Sequence, residues 1–99
     1  MLSINKNTEG KKMTLALEGR LDTSTAPELE AVVKNDLTDA EELVFDFEEL
    51  EYVSSAGLRV LLLAQKMMKK KGGMVVRNAS KDVMEVFKVT GFAKIFKIE

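Results

Sequence analysis

Tyr52-Val53-Ser54-Ser55-Ala56-Gly57-Leu58-Arg59 joins a short apolar approach to the first turn of a strongly apolar helix, and the fold follows from this junction. Upstream, Leu43-Val44-Phe45-Asp46-Phe47 is a nearly continuous apolar run of strand length, as in a central strand covered on both faces. Downstream, the helix is predicted from about Ser55 to Lys71. Lys69, Lys70 and Lys71 oppose the negative end of its dipole, and Gly72-Gly73 stops it. Met74-Val75-Val76 is then a second short buried strand. Two strands joined through a helix must run parallel, with a right-handed crossover.

The same logic extends in both directions. Leu2-Ser3-Ile4-Asn5 alternates as a half-buried edge strand would, and Asn7-Thr8-Glu9-Gly10 reads as a hairpin turn. Met13, Leu15 and Leu17 alternate with Thr14, Ala16 and Glu18, giving a strand with one core face; Gly19-Arg20-Leu21-Asp22 leaves it for a loop. Thr25-Ala26-Pro27-Glu28 has the form of a capping box with proline in the first turn, and Leu29, Val32, Val33 and Leu37 continue at helical spacing to about Asp36. Ser80-Lys81-Asp82 opens a third helix carrying Val83, Met84, Val86, Phe87 and Val89 and closed by Gly91. Ile95, Phe96 and Ile98 form a last strand. The expected order is β-β-α-β-α-β-α-β: a single α/β domain over residues 1–99, with a mixed, mostly parallel sheet packed against helices.

Composition narrows function. A 45% hydrophobic and 31% charged chain of 99 residues is an ordinary globular domain with one core. Fifteen basic and sixteen acidic residues leave a net charge of -1, so no global field recruits nucleic acid or acidic lipid. The chain has no cysteine and no histidine, which removes the commonest zinc ligands, the thiolate nucleophile and the commonest general base. Asp22 and Asp46 are the acids an enzyme would have to use, and no positioned base accompanies them. No cofactor or metal is expected. With no apolar run of membrane-spanning length and no signal-peptide core, a cytoplasmic location is the expectation. Lys69-Lys70-Lys71-Gly72-Gly73 lacks the order of a phosphate loop and ends a helix instead of beginning one.

Together, the element order, the Gly19 to Asp22 segment before the first helix, the strand through Phe45-Asp46-Phe47 and Ser54-Ser55-Ala56-Gly57-Leu58 resemble the STAS domain family. The family covers cytoplasmic domains of sulfate transporters and bacterial anti-sigma factor antagonists. A free-standing domain of this length resembles the antagonists. The resemblance implies a protein that is not itself an enzyme. It would bind an anti-sigma factor with serine kinase activity and so release a sigma factor. Phosphorylation of one serine would then inactivate it, and a metal-dependent, PP2C-type serine phosphatase would reset it. The family pattern Asp-Ser-Ser/Thr-Gly-Leu places the acceptor on Ser55. Ser54 stands where the family has aspartate and becomes an alternative acceptor. Many members carry a further helix after the last strand, and no segment for it follows Ile98.

Each candidate residue also has a plain structural role. Ser55 suits an N-cap. Asp22, Thr23, Ser24 and Thr25 are turn chemistry, or a docking loop beside Ser55. Asp46 is placed at a strand exit, accepting backbone N–H bonds. Val60, Leu61, Leu63, Ala64, Met67 and Met68 share a broad core face, while Leu58 and Leu62 fall toward Gln65 and Lys69. Leu62 and Arg59, with Ser54, Ala56 and Gly57, make the candidate partner-facing patch. Two other readings stay open: an unphosphorylated STAS adaptor in a transport or stress-signalling complex, and a nucleotide- or anion-sensing module.

Overall fold

The computed structural model describes residues 2–99 and has the expected order of elements. These are β1 (Leu2–Glu9), β2 (Lys12–Leu21), α1 (Ala26–Asp36), β3 (Glu42–Val53), α2 (Ser55–Lys69), β4 (Met74–Arg77), α3 (Lys81–Thr90), a 3-10 turn (Phe92–Lys94) and β5 (Lys97–Ile98). The strands lie side by side in chain order, with β1 antiparallel to β2 and every later pair parallel.

That order decides where the helices go. Each crossover steps the same way along the sheet, and right-handed crossovers in one direction send every helix to one face. Met13, Leu15, Leu17, Leu43, Phe45, Phe47, Met74 and Val76 are buried on that face. β3 is therefore covered on one face, not both. On the other face the register lines up Asn5, Ala16, Asp46 and Arg77, which stay exposed or half-buried. Val44 reads as core because its neighbours Thr14 and Val75 shield it.

Several predicted boundaries move. β1 runs on to Glu9 and the turn is Gly10-Lys11, with Gly10 at φ +63°. Backbone pairing carries the strand beyond Asn5 through polar Lys6, Asn7 and Thr8, which alternation alone does not mark. β3 is much longer than the Leu43–Phe47 run, so Asp46 sits within the strand rather than at its exit. Its carboxylate accepts from the Glu48 amide and the Asn78 side chain, both at 3.1 Å. The last strand shrinks to two residues. Phe92 and Phe96 pack edge-on at 5.4 Å, and Phe96 also packs on Phe87, which coils the preceding segment into a 3-10 turn and leaves Ile95 exposed.

Lys71 lies beyond the helix it was expected to finish. Its ammonium donates to the carbonyls of Leu37 at 2.9 Å, Thr38 at 2.7 Å and Ala40 at 2.9 Å, so it caps the end of α1 and ties the α1–β3 loop to the α2–β4 turn. Lys71→Met keeps the stem and deletes the charge-assisted bonds. Partial exposure discounts them, and the expected loss is about 1–3 kcal/mol. It should lower the urea midpoint with an unchanged m-value; an unchanged midpoint would mean that water replaces the ammonium at no cost.

Candidate functional site

Because β2 and β3 are parallel, their carboxyl ends emerge together: Leu21 pairs with Val53, and the Ser54 amide donates to the Leu21 carbonyl at 2.8 Å. This places the β2–α1 loop beside the first turn of α2, where parallel α/β sheets gather functional groups.

The two serines divide the roles differently from expectation. Ser54, not Ser55, is the N-cap of α2: its backbone is extended (φ -93°, ψ 174°) and its hydroxyl accepts from the Gly57 amide at 3.3 Å. Ser55 is the first helical residue and is exposed, and its hydroxyl takes no hydrogen bond among the described residues. Its own amide and that of Ala56 belong to the first turn, whose N–H groups have no partner inside the helix. The cap is one position earlier because the chain must still be extended for the Ser54 amide to donate to the Leu21 carbonyl.

The loop from Asp22 to Thr25 is both turn chemistry and a neighbour of Ser55. The Asp22 carboxylate accepts from the Ser24 hydroxyl at 2.8 Å and from the amides of Ser24 at 3.0 Å and Thr25 at 3.1 Å. Thr25 has the spacing of a capping-box N-cap, but its side chain makes no cap bond. Its hydroxyl donates to the Arg20 carbonyl and accepts from the Asp22 amide, each at 2.8 Å. At 4% exposure Thr25 cannot touch a partner; it fixes the loop from beneath. Thr23 and Ser24 are exposed.

The Ser24 hydroxyl, with the Thr25 and Ser24 amides, outweighs desolvation and holds the Asp22 carboxyl below its ordinary value of 3.8. A depressed carboxyl contributes stability above its unfolded value and loses it as pH falls through the folded one. The loop should therefore be fully set at neutral pH and loosen from about pH 4 downward. In Asp22→Asn this acid-side loss at the loop amides, followed by NMR, should disappear; the same acid transition in the variant would remove Asp22 as its cause.

Gly57 is buried, another departure from a contact role. A Cβ there would stand 2.6 Å from Leu21 Cγ and 3.0 Å from the Leu21 carbonyl oxygen, so the missing side chain lets α2 sit directly on the end of β2. Leu58 is buried with Val60, Leu61, Ala64 and Met68; Leu63 and Met67 are half-buried at the core's edge. Leu62 is half-buried, and Arg59 is exposed.

Leu62 and Arg59 open onto a groove between α1 and α2, of about 440 Å³. Ala56, Leu62 and Leu63 line one wall and Ala26 and Pro27 the other, with Thr23 at one end. Arg59 and Lys66 stand on the α2 rim; Glu30 stands opposite and is paired with Lys34 at 3.0 Å. The α1 wall and Lys66 were not read from the sequence. The seven-residue spacing from Arg59 to Lys66 around Leu62 and Leu63 was the available signal. Beside the loop, the Arg20 guanidinium lies 4.5 Å over the Tyr52 ring and 3.9 Å from the Asp22 carboxylate. No helix among the described residues is long and apolar enough to cross a membrane.

Solved structures with this fold include an anti-sigma factor antagonist from Mycobacterium paratuberculosis. It has a TM-score of 0.89 and 23% identity, over 99% of this chain and 85% of that one. Another is the phosphorylated Bacillus cell fate determinant SpoIIAA, with a TM-score of 0.75 and 17% identity, over 98% and 91% of the two chains. In sequence, the chain is 37% identical over 84 residues to Bordetella bronchiseptica BtrV, provisionally named an anti-sigma factor antagonist; the match spans 83% of this chain and 72% of BtrV. The family model described as Mlab, STAS domain, matches residues 4–98. With this match over nearly its whole length, the chain belongs to the STAS domain family.

Proposed function

We propose that this protein is an anti-sigma factor antagonist. It binds an anti-sigma factor with serine kinase activity through the first turn of α2, the Asp22–Thr25 loop and the α1–α2 groove, and phosphorylation of Ser55 switches it off. It acts as the substrate of that kinase and of a PP2C-type phosphatase, not as an enzyme. The observation that carries the reading is the exposed, unbonded hydroxyl of Ser55 on a turn whose neighbouring cap is already supplied by Ser54. BtrV, named as an antagonist, and SpoIIAA, solved in a phosphorylated form, support the assignment.

A phosphate on Ser55 would add about -1.5 to -2 charges at the positive end of the α2 dipole, where anions are tolerated. The helix therefore survives, and the effect falls on the docking surface. The test is incubation with the cognate anti-sigma kinase, followed by intact mass and fragmentation. One phosphate on Ser55 is expected. Ser55→Ala should take none. Ser54→Ala should still be modified, although losing the cap costs about 1 kcal/mol of stability. No phosphate on the wild type, with an active kinase, would leave a STAS domain acting as an unmodified adaptor.

A further inference from the structure

We propose that the α1–α2 groove receives an amphipathic helix of the anti-sigma factor, lying along α2 with acidic side chains against Arg59 and Lys66. The proposal rests on the antagonist reading above and specifies what that partner must present. Three features of the groove define the occupant. Its floor and walls are apolar, from Ala26, Pro27, Ala56, Leu62 and Leu63, and a buried apolar stripe is what an amphipathic helix offers. Its α2 rim is cationic and uncompensated: among the described residues neither Arg59 nor Lys66 forms an ion pair, whereas Glu30 on the facing rim is paired with Lys34. Arg59 and Lys66 are also seven residues apart, about 10.5 Å along the axis at 1.5 Å per residue, which matches acidic residues seven apart on a helix running alongside.

The arrangement also gives the phosphate a specific target. Ser55 precedes Arg59 by four residues, so the two side chains are neighbours on the exposed surface of α2. A phosphate at 55 would pair with Arg59, cancel the positive end of the rim and repel the incoming acidic helix. Phosphorylation and charge reversal at Arg59 should then weaken binding by the same route.

The experiment measures affinity of the full-length protein for its cognate anti-sigma factor at low and high salt. It compares wild type, Arg59→Glu/Lys66→Glu, Leu62→Ser, and, as the control, Lys88→Glu at an exposed position of α3. The double reversal should weaken binding at least tenfold and flatten the salt dependence, and Leu62→Ser should weaken it about equally at both salt concentrations. Lys88→Glu should change neither. Reversing acidic residues to lysine on the partner helix should restore affinity for the double variant. If the wild type binds and the double reversal binds equally well, the groove proposal is overturned while the antagonist reading stands. If the wild type does not bind any anti-sigma factor, the antagonist reading falls and the groove's occupant with it.

Discussion

Ser55→Asp should bind the anti-sigma factor at least tenfold more weakly than wild type, and Ser55→Ala should bind as well as wild type while resisting the kinase. Two like charges 4 Å apart repel by about 1 kcal/mol in bulk water and about 4 kcal/mol at the effective dielectric of a protein surface. The lower figure is about a fivefold loss, tenfold needs about 1.4 kcal/mol, and exclusion of water on docking moves the value past that. Aspartate is shorter than phosphoserine and carries one charge, so the phosphoprotein should be weaker still. The fold should not respond: Ser55 is exposed, its side chain bonds to nothing described, and an acid in the first turn of a helix is favourable. The urea midpoint of Ser55→Asp should therefore equal or slightly exceed that of Ser55→Ala. Equal affinities for the two variants would overturn repulsion as the mechanism, whatever the kinase does.

How much of this was legible beforehand depends on what each signal reports. Alternation in Met13, Leu15 and Leu17, helical spacing in α2 and the Ser80 to Gly91 frame all report burial. Their elements appear where burial dictates, and Ser80 caps α3 with its hydroxyl accepting from Val83 at 3.1 Å. Burial says less where backbone pairing or aromatic packing takes over. β1 continues through Lys6, Asn7 and Thr8 because β2 lies beside it. The last strand contracts because Phe96 is drawn onto Phe87 and Phe92. The apolar run at Leu43–Phe47 has the pattern of a strand covered on both faces, because periodicity cannot separate a strand under helices from one shielded by its own neighbours.

At the candidate site, placement was more legible than local bonding. Ser54, Ser55, the Asp22–Thr25 loop, Arg59 and Leu62 do come together, since parallel pairing of β2 and β3 delivers both loops to one end of the sheet. Roles depended on single dihedral angles and on long-range bonds that local patterns do not carry. Thr25 has the spacing of a capping box, yet its hydroxyl is used by Arg20 and Asp22. Lys71 looks like a dipole-compensating terminus, yet it reaches across to the end of α1. The second wall of the groove belongs to another helix, and only the packing of α1 on α2 brings it there.

Gly57→Ala separates packing from propensity, because the two predict opposite signs. Alanine is a better helix residue than glycine by about 1 kcal/mol in a helix interior, so propensity alone predicts stabilisation. The added methyl would meet Leu21 Cγ at 2.6 Å and the Leu21 carbonyl oxygen at 3.0 Å. Leu21 is fully buried, and its carbonyl already holds the Ser54 amide, so neither atom can retreat without opening the junction. Overpacking of this kind costs about 1–3 kcal/mol and outweighs a propensity gain reduced in the first turn. Net destabilisation of about 1–2 kcal/mol is expected. The first turn of α2 should shift outward, so partner affinity should fall too, although residue 57 is too buried to contact the partner. Gln65→Gly, in α2 but outside the groove, is the control: it loses propensity but adds no clash, and should cost stability without a matching loss of affinity. A raised midpoint in Gly57→Ala would show that α2 slides freely over Leu21, and the close approach of helix and strand would then not be what holds Ser55 in place.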